Sequence, residues 1–536
     1  ADVYAGGFGA RYTRRISSVV DVQTRNGNKR RFSAAASVSP FAGSARLEGP
    51  LIPQHVSFLG AARTSLLDEI ASAYVGDPLP YRFTDAFGKV HAQFGQYQIG
   101  FSGLRTYDRG TLSAEGDPFR LHDEIRWRNT AYGMRYLVAP TLAPVLGEVL
   151  LSYSDVLTEL GPEDEPARTS LFKSVNLAAN LTHFAPRMKV DWGFSFRAPT
   201  LQVELDGFFQ EFNAGVYRAL HVVGYLEPDF YIGRGIHVRP GAAVQSYADE
   251  GVVVDPRLRV RFERGIHHWS AAAGMYRQEI IGISDRRDAT NIFTAWVGAP
   301  TGNTATAIHA LLGYRVTPVP WFEASVEGFF KALDELPINE WTAFPGFTTR
   351  LQPADGKAVG FDVRVELRRP RLYLLVNYGY SSTRYDTDPE SEGLIDPGPF
   401  RPPHDRRHQI NVVANAFVRG FDLSARWQFG SGLPYTPIHG FDGFILMNGA
   451  VDVEAVRGLP RVIYDPVPYR KELPTYHRLD LSVERLITLV GAACVTLHAG
   501  AINVYDRSNL FTLDLFTAQR SDQLPFVPVA GIKVEL

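Results

Sequence analysis

The chain repeats a strict two-residue alternation of charge and hydrocarbon, and little else constrains its fold as tightly. In Arg257-Leu258-Arg259-Val260-Arg261-Phe262-Glu263 every odd position is charged and every even position is apolar. Successive side chains of a β-strand point to opposite faces, so as a strand this segment has one charged face and one greasy face. A helix, with its period of 3.6, would mix the two. The pattern recurs in Phe361-Asp362-Val363-Arg364-Val365-Glu366-Leu367-Arg368, in 421–429 and in Arg478-Leu479-Asp480-Leu481-Ser482-Val483-Glu484, with weaker copies at 322–331, 372–380 and 532–536.

A water-soluble sandwich or propeller also alternates, but its strands run to about five or six residues and its polar face is rich in Thr, Ser, Lys and Asn. Here the segments run to about nine or more residues, the length a tilted strand needs to cross a bilayer. Their polar face carries mixed Arg, Asp and Glu, as the wall of an enclosed aqueous or plugged interior would. The apolar face is then expected to meet lipid. The longest nearly apolar run, Leu486 to Leu497, is about twelve residues and too short for a spanning helix, which needs roughly 18. Aromatic pairs near segment ends (Tyr378 and Tyr380, Trp427 and Phe429, Trp321 and Phe322) suit the interface girdles of such a barrel.

Composition agrees. Net charge is −2 over 536 residues, which offers no basic excess for a nucleic-acid partner. The single cysteine, Cys494, permits no internal disulfide. The chain starts Ala-Asp-Val without an initiator Met or a leader, and is read as processed or truncated.

Connections alternate in length. Short ones include 139–144, 184–187, 317–320, 369–371 and Arg419-Gly420; long, polar, Gly/Pro-rich ones include 106–122, 157–167, 282–303, 335–357, 385–403 and 433–474. Short turns at one end and long loops at the other mark an outer-membrane barrel. From Arg30 onward the count comes to about 22 strands, an even number and a width that normally needs an internal plug. Hydrocarbon cannot satisfy an open sheet edge, so the first strand, near Arg30 to Val38, must pair with the last, near Val527 to Leu536. The expected fold is all-β, a transmembrane antiparallel barrel over 30–536, with residues 1–29 forming no barrel strand pair.

Residues 5–22 (AGGFGARYTRRISSVVDV) resemble the last segment of a TonB-dependent receptor plug, where a Gly-rich turn and an Arg-Leu-Ser-type stretch lead through a Val-rich strand into the barrel. The residues carrying this motif are Gly6, Gly7, Arg11, Tyr12, Arg15 and Asp21; at Thr13-Arg14 the family usually has a Gly pair. Further along, Asp405-Arg406-Arg407-His408 is similar to the family's Asp-x-Arg-His strand start, and Ser431-Gly432-Leu433-Pro434 to its Ser-Gly-x-Pro loop entry. Residues 476–482 resemble its penultimate-hairpin strand, and Asn503-Val504-Tyr505-Asp506-Arg507-Ser508-Asn509 its Asn-x-aromatic-Asp-Arg-x-Asn turn. Gly531, Val534 and Leu536 resemble the outward-facing C-terminal signal of the barrel-assembly machinery, ending in Leu where Phe or Trp is common.

The resemblance implies energy-coupled uptake of a large scarce nutrient (siderophore, oligosaccharide or peptide) across the bacterial outer membrane, driven by the TonB complex through plug residues not in this chain. It implies outer-membrane lipid and lipopolysaccharide as surroundings, and either truncation or a plug carried on another chain; a surface lipoprotein is a further candidate partner. The alternative is a passive porin-like or structural barrel, alone or in a split or larger assembly. Residues 5–22 discriminate, because a porin has no use for a plug-like lead-in. No cofactor and no enzyme activity is expected: His267-His268 and the Asp405/His408 pair read as lumen or turn residues, and no Ser/His/Asp spacing supports catalysis.

Two further sets of candidate residues complete the reading. The ladder Arg257, Arg259, Arg261, Glu263, Asp362, Arg364, Glu366 and Arg368 is expected to line the lumen, its arginines paired with plug carboxylates or with Glu263 and Glu366. Loop aromatics Trp296, Trp341, Phe344, Phe347, Tyr435, Phe441 and Phe444 are candidates for stacking on a ligand.

Overall fold

A computed structural model describes residues 1–66, 81–111, 124–141, 143–164, 166, 168–205, 212–233, 235–247, 251–284, 293–299, 304–339, 351–387, 398–442, 461–465, 468–489, 493–513, 515 and 520–536. Among these, all regular structure is β, and the principal sheet is a closed antiparallel barrel.

The barrel has 22 positions. One of them is shared by two segments, Phe212–Arg218 and His221–Tyr231, which lie end to end along Met188–Leu205. Closure is between the first barrel strand, Ser33–Val38, and the last, Val527–Glu535, with Ala35 opposite Glu535 and Val38 opposite Ile532. No edge is left, as hydrocarbon requires.

Short turns gather at one end. At Arg419-Gly420 both residues have positive φ, 52° and 85°, the twist of a two-residue hairpin, which glycine adopts without strain. At the other end strands outrun the alternation that marks them in the sequence. Tyr97–Thr111, Val145–Leu160, Phe322–Asn339, Leu351–Arg369 and Leu372–Thr387 all continue into stretches expected to be loop. The hydrogen-bond ladder persists there, but residues such as Leu157, Leu160, Ala354 and Tyr385 are buried by neighbouring chain rather than sorted between lipid and lumen, so the two-residue signature fades although the strand does not.

The outward face is hydrocarbon. Leu258, Ile308, Leu312, Val326, Phe330, Val359 and Phe361 are all exposed on it, Leu312 to 68%. Rings pair across it in register: Phe262 stacks on Trp269 at 5.2 Å, and Trp269 meets Tyr314 at 5.6 Å, near the short-turn end. At the C-terminus Ile532, Val534 and Leu536 are exposed. Gly531 is one residue out of phase with them and takes the opposite face, so the outward series at this end is Ile532, Val534 and Leu536.

The turn at 503–509 shows why its residue types are needed. Asn503, with φ of 54°, is fully buried, and its amide donates to the carbonyls of Arg507 (2.9 Å) and Leu524 (3.0 Å). Asn509 clamps His477 through both its amide atoms. Asp405, at the same long-loop end of the barrel, is almost as fully buried and accepts from the Thr383 backbone N–H (2.9 Å) and Arg401 (2.8 Å).

Candidate functional site

Residues 1–29 enter no barrel ladder. Asp2–Tyr4 pairs antiparallel with Val19–Asp21, and the loop between them lies on the lumen wall. The Tyr12 hydroxyl donates to Asp21 (2.7 Å), bracing this hairpin. Burial and that bond push the hydroxyl above its ordinary pKa. Phe8 and Ile16 are buried, packed with Tyr276, Ala305 and Ala307 of the wall, and Ala10 is buried beside Gly241.

Glycine is needed where the segment meets that wall. At Gly7, φ is +59° and a Cβ would come within 2.7 Å of Ala272; at Gly6 it would meet Leu311 at 3.3 Å. These two positions bring the backbone flat against the strands.

The wall holds the segment chiefly by its carbonyls. Arg257, nearly fully buried, donates to the carbonyls of Phe8 (3.2 Å), Gly9 and Tyr12 (2.6 Å), and its guanidinium lies over the Tyr276 ring at 4.4 Å. Tyr276 adds a bond to the Phe8 carbonyl (3.2 Å), and His309 one to Ile16 (2.9 Å). Lys331 reaches the carbonyls of Ala5 (2.7 Å) and Ser17 (3.0 Å). Glu227 accepts from the Ala10 N–H. The three carbonyls held by Arg257 all converge on its Nη1, while the planar face of the guanidinium is taken up by the Tyr276 ring.

Arg14 is the departure from the resembled motif, and it is held in the left-handed region, φ 57°. Glycine takes that conformation freely; any other residue is strained there by about 1–2 kcal/mol. The side chain compensates. It donates to Glu279 (2.5 Å) and to the Ser246 carbonyl (2.5 Å), and lies over the Tyr247 ring at 4.3 Å. Nearer the short-turn end, Arg25 forks onto Glu48 (2.6 and 2.7 Å) and Lys29 reaches Gln93 (2.6 Å).

The expected motif residues thus have distinct positions. Arg11 pairs with Glu148 at 3.0 Å, and Arg15 donates to the Arg14 carbonyl at 2.7 Å. Of the ladder, Arg257 takes backbone carbonyls rather than the carboxylates expected of it. Arg259 pairs with Glu227, and Arg261 lies 4.0 Å from Asp229. Glu263 sits 3.9 Å from His268. Arg364 and Arg368 both converge on Glu366, at 2.6 and 2.7 Å, and Asp362 sits opposite Glu327. Glu148, Glu227, Glu279, Tyr276, His309 and Lys331 were not singled out in the sequence.

The three loop aromatics among the described residues belong to different small sheets. Trp296 lies in the hairpin of Ile280–Ser284 with Thr294–Gly298, and its backbone N–H donates to the Ser170 hydroxyl at 3.0 Å. Tyr435 belongs to a separate small sheet, paired with Lys471. Phe441 is in the strand Ile438–Asp442. Trp341, Phe344, Phe347 and Phe444 lie outside the described residues.

No family model and no curated protein matches the sequence. Solved structures do share its fold. The siderophore receptor PirA of Acinetobacter baumannii aligns with a TM-score of 0.68 at 12% identity, over 100% of this chain and 84% of that one. A ferric enterobactin receptor, PfeA, of Pseudomonas aeruginosa gives 0.68 at 11%, over 99% and 84%. The ferric-catecholate import receptor Fiu of E. coli K12 gives 0.66 at 9%, over 96% and 83%. The chain therefore has the barrel fold of TonB-dependent outer-membrane receptors.

Proposed function

We propose that this chain is the barrel, with the closing part of the plug in residues 1–29, of an outer-membrane receptor for energy-coupled uptake of a large scarce nutrient of siderophore type. One observation carries the reading: a segment outside the barrel ladder is docked on the lumen wall by bonds to its backbone carbonyls, led by Arg257. A passive pore gains nothing from such a segment, which narrows the conducting path. A receptor that must hold its interior shut until pulled requires one. The ligand class rests on the likeness of fold to proteins named as siderophore and ferric-catecholate receptors. In this reading the TonB complex acts through plug residues, the barrel-assembly machinery inserts the strands, and lipid with lipopolysaccharide surrounds them. The loop aromatics Trp296 and Tyr435 remain candidates for ligand contact.

The test is uptake of iron-59 siderophores by cells that express the full-length protein and lack their own siderophore receptors, with and without TonB. Accumulation of at least one ferric siderophore only when TonB is present is the expected result. TonB-independent entry of small sugars, with no siderophore uptake, would establish the passive reading instead.

A further inference from the structure

The hairpin formed by Ile280–Ser284 and Thr294–Gly298 does not stand away from the barrel. Its Ile281, Ile283 and Ala295, with Phe293, are buried against Ile125, Leu160, Val203 and Leu205. Those wall residues face the lumen. Val203 and Leu205 share parity with Arg197, which borders the N-terminal segment, and Ile125 shares parity with Arg135, which pairs with the lumen residue Glu148. Trp296 fastens the hairpin to the same wall through Ser170. The hairpin thus folds into the mouth at the long-loop end.

Its root is tied to the N-terminal segment at consecutive residues. Glu279 takes the Arg14 guanidinium at 2.5 Å, and its own carbonyl accepts from Ala299 at 2.6 Å to close the base of the hairpin. Gln278 accepts from the Ile16 N–H (3.2 Å) with one end of its amide and donates to the Ile280 carbonyl (2.8 Å) with the other. The Arg14 and Glu279 side chains are both at least nine-tenths buried, so separating them leaves the desolvated Arg14 guanidinium without its carboxylate, while Glu279 keeps Tyr217 and His221.

We propose that Arg14 is a latch: it ties the lumen segment to the inward-folded hairpin, so that displacing the segment frees the hairpin from the mouth. Arg14 acts through Glu279 and Gln278 as a positioning residue. Movement of the segment in the lumen would then be read at the opposite end of the chain's fold as a wider entrance, without any contact between hairpin and energy source.

The test uses the full-length protein in outer-membrane vesicles, with Cys494→Ser removing the native thiol and Ala295→Cys placing a reporter in the buried side of the hairpin. The rate of labelling by a sulfonated maleimide reads hairpin release, and heat-modifiability on gels reads the folded barrel. Arg14→Ala and Glu279→Gln should each speed labelling at least tenfold with the barrel folded, and Arg14→Lys should be intermediate. Arg11→Ala, which breaks the separate pair with Glu148, should leave the rate unchanged. If Arg14→Ala lowers the folded yield, Arg14→Gln decides, because Glu279→Gln also disturbs the Glu279 contacts with Tyr217 and His221. Unchanged labelling in Arg14→Gln or Glu279→Gln, or equal acceleration in Arg11→Ala, overturns the latch. No ligand enters the assay, so it can fail while the uptake reading stands.

Discussion

The Arg14 guanidinium lies 2.5 Å from the Glu279 carboxylate, joining residues 265 positions apart in the chain. The backbone at Arg14 is left-handed, so the contact holds a strained residue in place. Arg14→Gly should relieve the strain while losing the contact, whereas Arg14→Ala loses the contact and keeps the strain. Hydrogen exchange over residues 10–18 should therefore be faster in both than in the parent, and slower in Arg14→Gly than in Arg14→Ala by a difference of about 1 kcal/mol. Identical exchange in the two variants would show that the φ value carries no cost.

The same pair sets a pH dependence. Burial pushes Glu279 up, but His221, Tyr217 and Arg14 together outweigh it and hold its carboxyl down to about 2, from 4.5. A depressed carboxyl contributes stability above its unfolded value and loses it as pH falls through the folded one. Protection of residues 14–16 should thus be flat from pH 8 to about 5 and fall only between about 4.5 and 2. A loss centred near pH 6 would assign the contact to a histidine instead.

Arg257 offers a sharper substitution. Lysine keeps its charge, but all three bonds to the carbonyls of Phe8, Gly9 and Tyr12 leave from Nη1 at the far end of the guanidinium, and a compact ammonium on a shorter stem cannot both reach that point and lay a planar cation over the Tyr276 ring. Arg257→Ala should weaken docking of residues 8–12 by on the order of 3 kcal/mol, and Arg257→Lys should restore less than half of it. Exchange of the peptide covering those residues is the readout. Full rescue by lysine would mean that charge alone holds the segment.

The outward face should be less tolerant than the inward one. Val260→Arg places a charge in lipid at a cost of about 2–4 kcal/mol near the midplane, while Arg259→Ala leaves its buried partner Glu227 still paired with Arg239 and the Ala10 N–H. Folded yield in vesicles should fall much further for the first. Equal yields would invert the two faces.

The barrel was legible because strict period two survives in several strands that separate lipid from lumen: 257–263 and 361–368 declare both faces unaided. Arg419-Gly420 declared its turn, and the first and last strands their pairing. The contacts of the lumen segment were not legible, for a geometric reason. Glu227 stands in Val222-Val223-Gly224-Tyr225-Leu226-Glu227-Pro228, where inward Val223 and Tyr225 are themselves apolar or aromatic, so charge does not mark the lumen face. Glu279 follows a strand rather than lying in one. Which wall residue meets which segment residue depends on strand tilt and stagger around the barrel, and neither is written in local pattern. Strand ends are hidden for a related reason: where no face is committed to lipid, a ladder keeps its hydrogen bonds and loses its alternation.

The account depends above all on residues 257–263 alternating between an aqueous interior and lipid. A nitroxide scan of these positions, in the Cys494→Ser background and in membranes, measures that directly through relaxation by dissolved oxygen and by a water-soluble nickel chelate. Oxygen should dominate at 258, 260 and 262, and the chelate at 261 and 263, with 257 and 259 shielded from both by the docked segment. Uniform accessibility along the strand, or oxygen maxima at the odd positions, would contradict it.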